Sequence, residues 1–109
     1  MAEDEREIQI DALAVRPSSG EVFLRGLPLV LTRTEFRLLL LLIRSDGGAL
    51  SRKQIIEAVR GSDYPVTERS LDSHVMKLRR KLGDHGRMIE TVRGAGYRYR
   101  KESPACPSG

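Results

Sequence analysis

Tryptophan is missing, cysteine occurs once, and phenylalanine and tyrosine together number five among 109 residues. The lone Cys106 sits in a Ser/Pro/Gly tail, which excludes a disulfide framework and a cysteine-based zinc site. Only two histidines occur, His74 and His85, among scattered acids, so no metal and no cofactor is expected. Neither a Ser/His/Asp nor a Cys/His set is spaced for nucleophilic catalysis, and no glycine-rich phosphate loop occurs in the N-terminal part. The chain therefore reads as a non-enzyme. The longest wholly apolar run, Leu38–Ile43, is far shorter than the ~20 residues a helix needs to cross a bilayer. The opening Met1-Ala2-Glu3-Asp4-Glu5-Arg6-Glu7 is acidic rather than basic-then-apolar. A cytoplasmic location and no membrane partner are expected.

What is present is positive charge, unevenly placed. The net charge is +4 and the isoelectric point near 9.6. Residues 1–12 carry five acids and one base, so the remainder holds +8. Residues 67–101 hold ten Lys/Arg against four Asp/Glu, a local +6. Concentrated on one face, such charge draws in a polyanion and releases its counterions on contact.

Hydrophobic spacing organises the rest into one domain. Alternation over Glu7–Asp11, Leu13–Arg16 and Glu21–Arg25, with Leu29–Leu31 after a break at Gly26–Pro28, predicts four short strands in an antiparallel sheet. Thr32-Arg33-Thr34-Glu35 is a capping box that opens a helix to about Arg44. Its stripe is Phe36, Leu39, Leu40 and Ile43, its leucine run implies burial nearly all round, and Gly47-Gly48 stops it. Ser51-Arg52-Lys53-Gln54 opens a second, short helix carrying Ile55, Ile56 and Val59. A third helix, capped by Thr67 or a neighbour, stacks Leu71, Val75, Leu78 and Leu82 on one side and ends at Gly83. An Asp84-His85-Gly86 turn leads to Met88–Val92 and Tyr97–Arg100, strands joined through Arg93-Gly94-Ala95-Gly96. The fold class is α+β: a winged helix-turn-helix with a four-stranded N-terminal antiparallel sheet, three helices and a C-terminal β-hairpin wing. Residues 1–6 read as an acidic linker remnant, 7–101 as the domain and 102–109 as a flexible tail.

The third helix turns one polar ridge to solvent: Arg69, Asp72, Ser73, Met76, Lys77 and Arg80. A helix of this size fits the major groove of B-DNA, where every base pair shows its own donor and acceptor pattern. Lys77 can donate to guanine O6 or N7, and Met76 can touch a thymine methyl. Asp72 can accept from cytosine N4 or pair with Arg69 or Arg79 along the helix; the spacing allows both. Arg69, Arg79 and Arg80 suit phosphates, which set register without specifying sequence. Arg93, on a glycine-flanked tip, suits a narrow minor groove. His74, at the edge of the apolar face, fits equally a phosphate donor or a packed structural histidine.

With these residues in view, the chain resembles the OmpR/PhoB family of bacterial response-regulator effector domains in two-component signalling. The likeness spans roughly residues 7–101. It is carried by Leu31–Leu39, Leu50–Ile55, Arg69–Val75 with Leu78–Leu82, and the most specific segment, Ile89-Glu90-Thr91-Val92-Arg93-Gly94-Ala95-Gly96-Tyr97-Arg98. The resemblance implies the third helix in the major groove and the wing in the minor groove. It places Ser70, Asp72 and Lys77 near bases, Arg93 on the wing, and Arg69, His74, Arg79, Thr91 and Tyr97 at phosphates. Met76 stands where some members carry a basic residue, and Arg60 where tryptophan is common. Loop 61–66 corresponds to the family's RNA polymerase-contacting region, a role with no physical signature of its own here. The family's receiver domain is absent from this chain. The resemblance further implies a monomer alone and a head-to-tail pair on promoter direct repeats.

Two other functions share the same layout. One is a winged-helix interaction module that docks an acidic protein. The other is an RNA-binding winged helix, which the lack of aromatic residues on the ridge disfavours.

Overall fold

The computed structural model describes residues 7–45, 47–59 and 66–100. The expectations for the acidic segment 1–6, for Arg60, for the loop from Gly61 to Pro65 and for the tail with Cys106 lie outside the described residues.

Strand alternation builds the first layer. β1 (Ile8–Ile10), β2 (Leu13–Arg16), β3 (Glu21–Leu24) and β4 (Leu27–Leu29) form an antiparallel sheet in chain order. The register stacks two apolar rows across it, Ile8–Val15–Val22–Leu29 and Ile10–Leu13–Leu24–Leu27. Leu13, Val15 and Val22 are buried in the core. β4 begins two residues earlier than the alternation predicts. Arg25 and Gly26 both take positive φ, 53° and 81°, which makes a two-residue hairpin turn and sets Leu27 opposite Leu24 at once. Pro28 follows opposite Phe23, on an edge strand that tolerates a residue with no N–H.

The three helices are α1 (Arg33–Arg44), α2 (Arg52–Val59) and α3 (Glu68–Leu82). Each opens on a reciprocal cap that satisfies two otherwise orphaned backbone N–H groups. Glu35 N donates to Thr32 Oγ1 at 3.1 Å and Thr32 N to Glu35 Oε1 at 2.9 Å. Ser51 and Gln54 repeat the exchange at 2.8 and 3.0 Å, and Thr67 with Ser70 at 2.9 and 3.1 Å. The last pair uses a serine hydroxyl where glutamate or glutamine is usual.

Leu71, Val75, Leu78 and Leu82 of α3 are all buried, as their spacing predicts. The phase of α1 differs. Its buried side is Thr34, Glu35, Leu38, Leu39, Leu42 and Ile43, whereas Phe36 and Leu40 are half-buried. Five consecutive leucines fit a stripe in any direction, so packing against the sheet, α2 and α3 chooses the face. No leucine of α1 is exposed, in keeping with burial nearly all round.

After Gly83 at φ 63° the chain does not make a simple turn but a 3₁₀ segment, Gly83–Met88. This takes Met88 out of the hairpin, which runs as β5 (Ile89–Val92) and β6 (Gly96–Tyr99). His85 is buried, with Nε2 2.7 Å from Tyr99 Oη; that hydroxyl donates to Asp11 Oδ2 at 2.9 Å and so ties the hairpin to the β1–β2 turn. The hairpin is also joined to the segment before α2. Leu50 N donates to Tyr97 O at 2.8 Å and Tyr97 N to Leu50 O at 3.0 Å.

That bridge explains Gly96. Its φ is 146°, and a Cβ there would lie 2.0 Å from Leu50 O. The close approach that this glycine permits is to the protein's own backbone, not to an outside surface. Gly94 has φ 78° with open space around it. Gly96→Ala should therefore destabilise the domain by about 3 kcal/mol, strain and displaced backbone together. Gly94→Ala should cost about 1 kcal/mol, the left-handed penalty alone. Urea unfolding of both variants checks the contrast; equal losses would mean that the Leu50 bridge yields.

Candidate nucleic-acid interface

The burial of Leu71, Val75, Leu78 and Leu82 fixes what α3 shows to solvent. Arg69, Asp72, Ser73, Met76, Lys77 and Arg80 are all exposed, Met76 by 57%. Among the described residues, Arg69, Lys77, Arg80 and Arg93 take part in no intramolecular ion pair. Arg93 stands exposed at the hairpin tip, where Ala95 N donates to Val92 O at 2.9 Å.

The rotational setting of α3 has an electrostatic pin. Glu35 is 2% exposed, caps α1, and accepts from Lys81 Nζ of α3 at 2.7 Å. Burial alone would raise its carboxyl; the Lys81 ammonium and the Thr32 N–H outweigh that and hold it below the usual 4.5. No buried side-chain nitrogen or oxygen among the described residues lacks a hydrogen-bond partner.

Several residues that the sequence places at the interface are engaged within the protein. The Ser70 hydroxyl belongs to the α3 cap: it accepts from Thr67 N at 2.9 Å and donates to Thr67 O at 3.2 Å. Asp72 pairs with neither Arg69 nor Arg79. Its Oδ1 accepts from Arg52 Nε of α2 at 3.2 Å and, through a short hydrogen bond, from the Tyr97 hydroxyl. The Tyr97 hydrogen bond and the Arg52 guanidinium lower the Asp72 pKa, while burial and the Asp72 carboxylate raise that of Tyr97. Tyr97 is 3% exposed, and the guanidinium groups of Arg52 and Arg79 lie 5.2 and 5.7 Å from its ring centre. Arg79 points to the hairpin, donating from Nε to Ile89 O and from Nη2 to Thr91 Oγ1, both at 2.9 Å. His74 is half-buried and Ser73 exposed.

Arg52 is the contributor that sequence reasoning missed. A signal existed. Cations oppose the helix dipole at an N-terminus, yet α2 opens on Arg52-Lys53 with no acid in its first turn. Such a start calls for an anion from elsewhere, and Asp72 supplies one.

Arg98 and Arg100 face Glu90 across the hairpin at 2.9 and 3.0 Å, which lowers the Glu90 pKa, Arg100 contributing most. Among the described residues, no group of three His, Cys, Asp or Glu side chains converges as metal ligands, and no helix is long and apolar enough to cross a membrane. A groove lined by Pro17–Gly20, Arg33, Phe36, Leu40 and Arg44 shares no residue with the α3 ridge or the hairpin.

This geometry meets known proteins at both sequence and fold. Residues 26–99 match a family described as "Transcriptional regulatory protein, C terminal". The transcriptional regulatory protein VxrB of Vibrio cholerae is 38% identical over 98 residues, which cover 90% of this chain and 39% of that protein. The phosphate regulon transcriptional regulatory protein PhoB of Escherichia coli is 37% identical over 97 residues, 87% of this chain and 42% of that one. The chain thus spans about two fifths of the length of these relatives. Among solved structures, the DNA-binding domain of the response regulator AdeR, in complex with an intercistronic region, aligns with a TM-score of 0.76 at 30% identity. That alignment covers 87% of this chain and all of the AdeR chain.

The Glu35–Lys81 pair carries a pH signature. A depressed folded-state pKa stabilises fully above the unfolded value and loses that effect as pH falls through the folded one. Glu35→Gln keeps an acceptor for Thr32 N but removes the charge facing Lys81. It should lower stability at neutral pH by about 1 kcal/mol, a modest figure because Lys81 is partly solvated. The difference from the parent should shrink below pH 4.5, the usual value for glutamate. Thermal unfolding of both proteins from pH 7 to pH 3 measures it; a gap that does not change with pH would show that the ion pair contributes nothing.

Proposed function

The chain belongs to the OmpR/PhoB family of C-terminal DNA-binding domains of response regulators, and from that membership we propose that it binds double-stranded DNA sequence-specifically through two grooves. α3 lies in the major groove and the Arg93 tip of the hairpin in the adjacent minor groove. The observation that carries the reading is the exposed α3 ridge, whose Arg69, Lys77 and Arg80 stand beside the exposed Arg93, all four without ion-pair partners among the described residues. A polyanion supplies the missing partners. The crystallised complex of the AdeR DNA-binding domain with an intercistronic region supports DNA as the partner.

Roles then divide by chemistry. Lys77 donates to guanine, Ser73 and Met76 lie against neighbouring base edges, and Met76 has apolar contact alone to offer. Arg69, Arg80 and His74 hold phosphates. Ser70, Asp72, Arg79, Thr91 and Tyr97 shape this surface from within, because their polar groups are engaged by the protein itself. The protein works in the bacterial cytoplasm within a two-component system, as a monomer when free and as a head-to-tail pair on direct repeats about one helical turn apart.

Binding measurements on selected and scrambled duplexes across a salt series test the proposal. Lys77→Ala should relax discrimination at one guanine-containing position by about 1–2 kcal/mol. Arg93→Ala should leave that position unchanged and reduce preference for an A·T-rich flank. Arg69→Ala should weaken binding to all duplexes alike and reduce the salt slope by about one unit. Weak retention that is equal on every duplex would overturn the reading in favour of an acidic protein partner.

A further inference from the structure

Asp72 lies on the ridge among residues that face DNA, half-exposed, yet its carboxylate is held at the seam where α2, α3 and the hairpin meet. From the contacts there we infer that Asp72 is a positioning residue: by holding Tyr97 and Arg52 it sets where the Arg93 tip stands relative to the α3 ridge, and so couples the two DNA-reading elements. The inference rests on the two-groove reading.

One helix grips both strands of the hairpin. Asp72 holds β6 through the Tyr97 hydroxyl, and Arg79 holds β5 through Ile89 O and Thr91 Oγ1. The two attachment points are seven residues apart on α3, about 10 Å along its axis. A single attachment leaves a hinge, whereas two so far apart fix an angle. Tyr97 is the pivot: it sits opposite Thr91 in the hairpin ladder and exchanges backbone hydrogen bonds with Leu50. The guanidinium groups of Arg52 and Arg79 pack against its ring. Arg93 lies two residues beyond Thr91, the residue opposite Tyr97, at the end of a lever roughly 7 Å long. A small rotation at Tyr97 becomes a displacement of ångströms at the tip, in a groove only about 6 Å wide. Asp72 opposes that rotation from the side of the recognition helix.

A direct base-reader and a positioning residue predict different results for Tyr97→Phe, which keeps the ring but removes the hydroxyl and leaves the Asp72 carboxylate in place. The parent, Asp72→Ala, Asp72→Asn and Tyr97→Phe are each measured with and without Arg93→Ala, on duplexes that differ at the helix-facing guanine or in the A·T content of the flank. Amide hydrogen exchange of the same proteins without DNA gives a second readout. The penalty of Arg93→Ala on the A·T-rich duplex should shrink roughly fivefold in both Asp72→Ala and Tyr97→Phe, a coupling expected within one hydrogen-bonded network. Asp72→Asn, which still accepts from the Tyr97 hydroxyl, should recover part of it. Preference at the helix-facing guanine should not change in Tyr97→Phe. Exchange of the Thr91–Tyr97 amides should quicken roughly fivefold in Asp72→Ala, with the Leu71–Leu82 amides unaffected. If Tyr97→Phe is silent and Asp72→Ala alters only helix-facing preference, Asp72 reads a base and the inference falls. If the parent prefers no duplex, the DNA reading fails by itself and exchange decides: hairpin amides that stay protected in Asp72→Ala overturn the inference, and quickened ones sustain the positioning role of Asp72.

Discussion

Leu50 and Tyr97 exchange two backbone hydrogen bonds, and the geometry of the whole basic face depends on that short bridge. Without it the hairpin would touch the helices through side chains alone. With it, the hairpin backbone continues directly from the segment that starts α2, and the direction of the Arg93 tip is referred to the helical core. The bridge requires a residue without Cβ at position 96. It also brings Tyr97 under the two arginines and beside Asp72. Gly86 makes a similar demand behind α3, where a Cβ would come within 2.3 Å of Arg79 O. Two glycines thus let backbone approach backbone, Gly96 of the hairpin against Leu50 and Gly86 of the 3₁₀ segment against Arg79 of α3.

Charge on the surface is sorted by what the interior can satisfy. Arg98 and Arg100 are matched by Glu90, Arg52 by Asp72, and Lys81 by Glu35. Among the described residues, Arg69, Lys77, Arg80 and Arg93 on the α3 ridge and the hairpin tip have no ion-pair partner, as is also true of Arg25, Arg33, Lys53 and Arg87 elsewhere. Exposed ion pairs contribute little stability. The pairing of some arginines and not others therefore matters more for where a polyanion settles than for how firmly the domain folds. The Glu35–Lys81 pair is different, because one partner is buried and also caps α1.

Much of this architecture follows from local rules that a reader of the chain can apply. The capping boxes at Thr32 and Ser51 form as their residues predict, because a cap involves only four consecutive residues; Thr67 caps α3, and its reciprocal partner, the Ser70 hydroxyl, is one that the sequence does not predict. The buried row of α3 is legible because its apolar residues are separated by polar ones that leave a single phase. Where spacing is ambiguous, reading fails for an identifiable reason. The leucine run from Leu38 to Leu42 allows α1 any rotation, and only its neighbours choose one. β4 starts early because Arg25, which alternation places at the end of the preceding strand, takes a left-handed conformation beside Gly26.

The sequence by itself determined the order of elements, the exposed ridge of α3 and the basic character of the C-terminal half, since each depends on neighbours within a turn or a strand. Tertiary structure alone decided which polar groups on that face remain available. Asp72 and Arg52 are twenty residues apart, and Asp72 and Tyr97 twenty-five. No periodicity relates such pairs, because their meeting follows from how α2, α3 and the hairpin are stacked. For the same reason Arg79, in sequence one more cation of a basic helix, becomes in the fold the clamp that holds β5. The apolar pattern of a helix says which side faces out; only packing says which of its charges already have a partner.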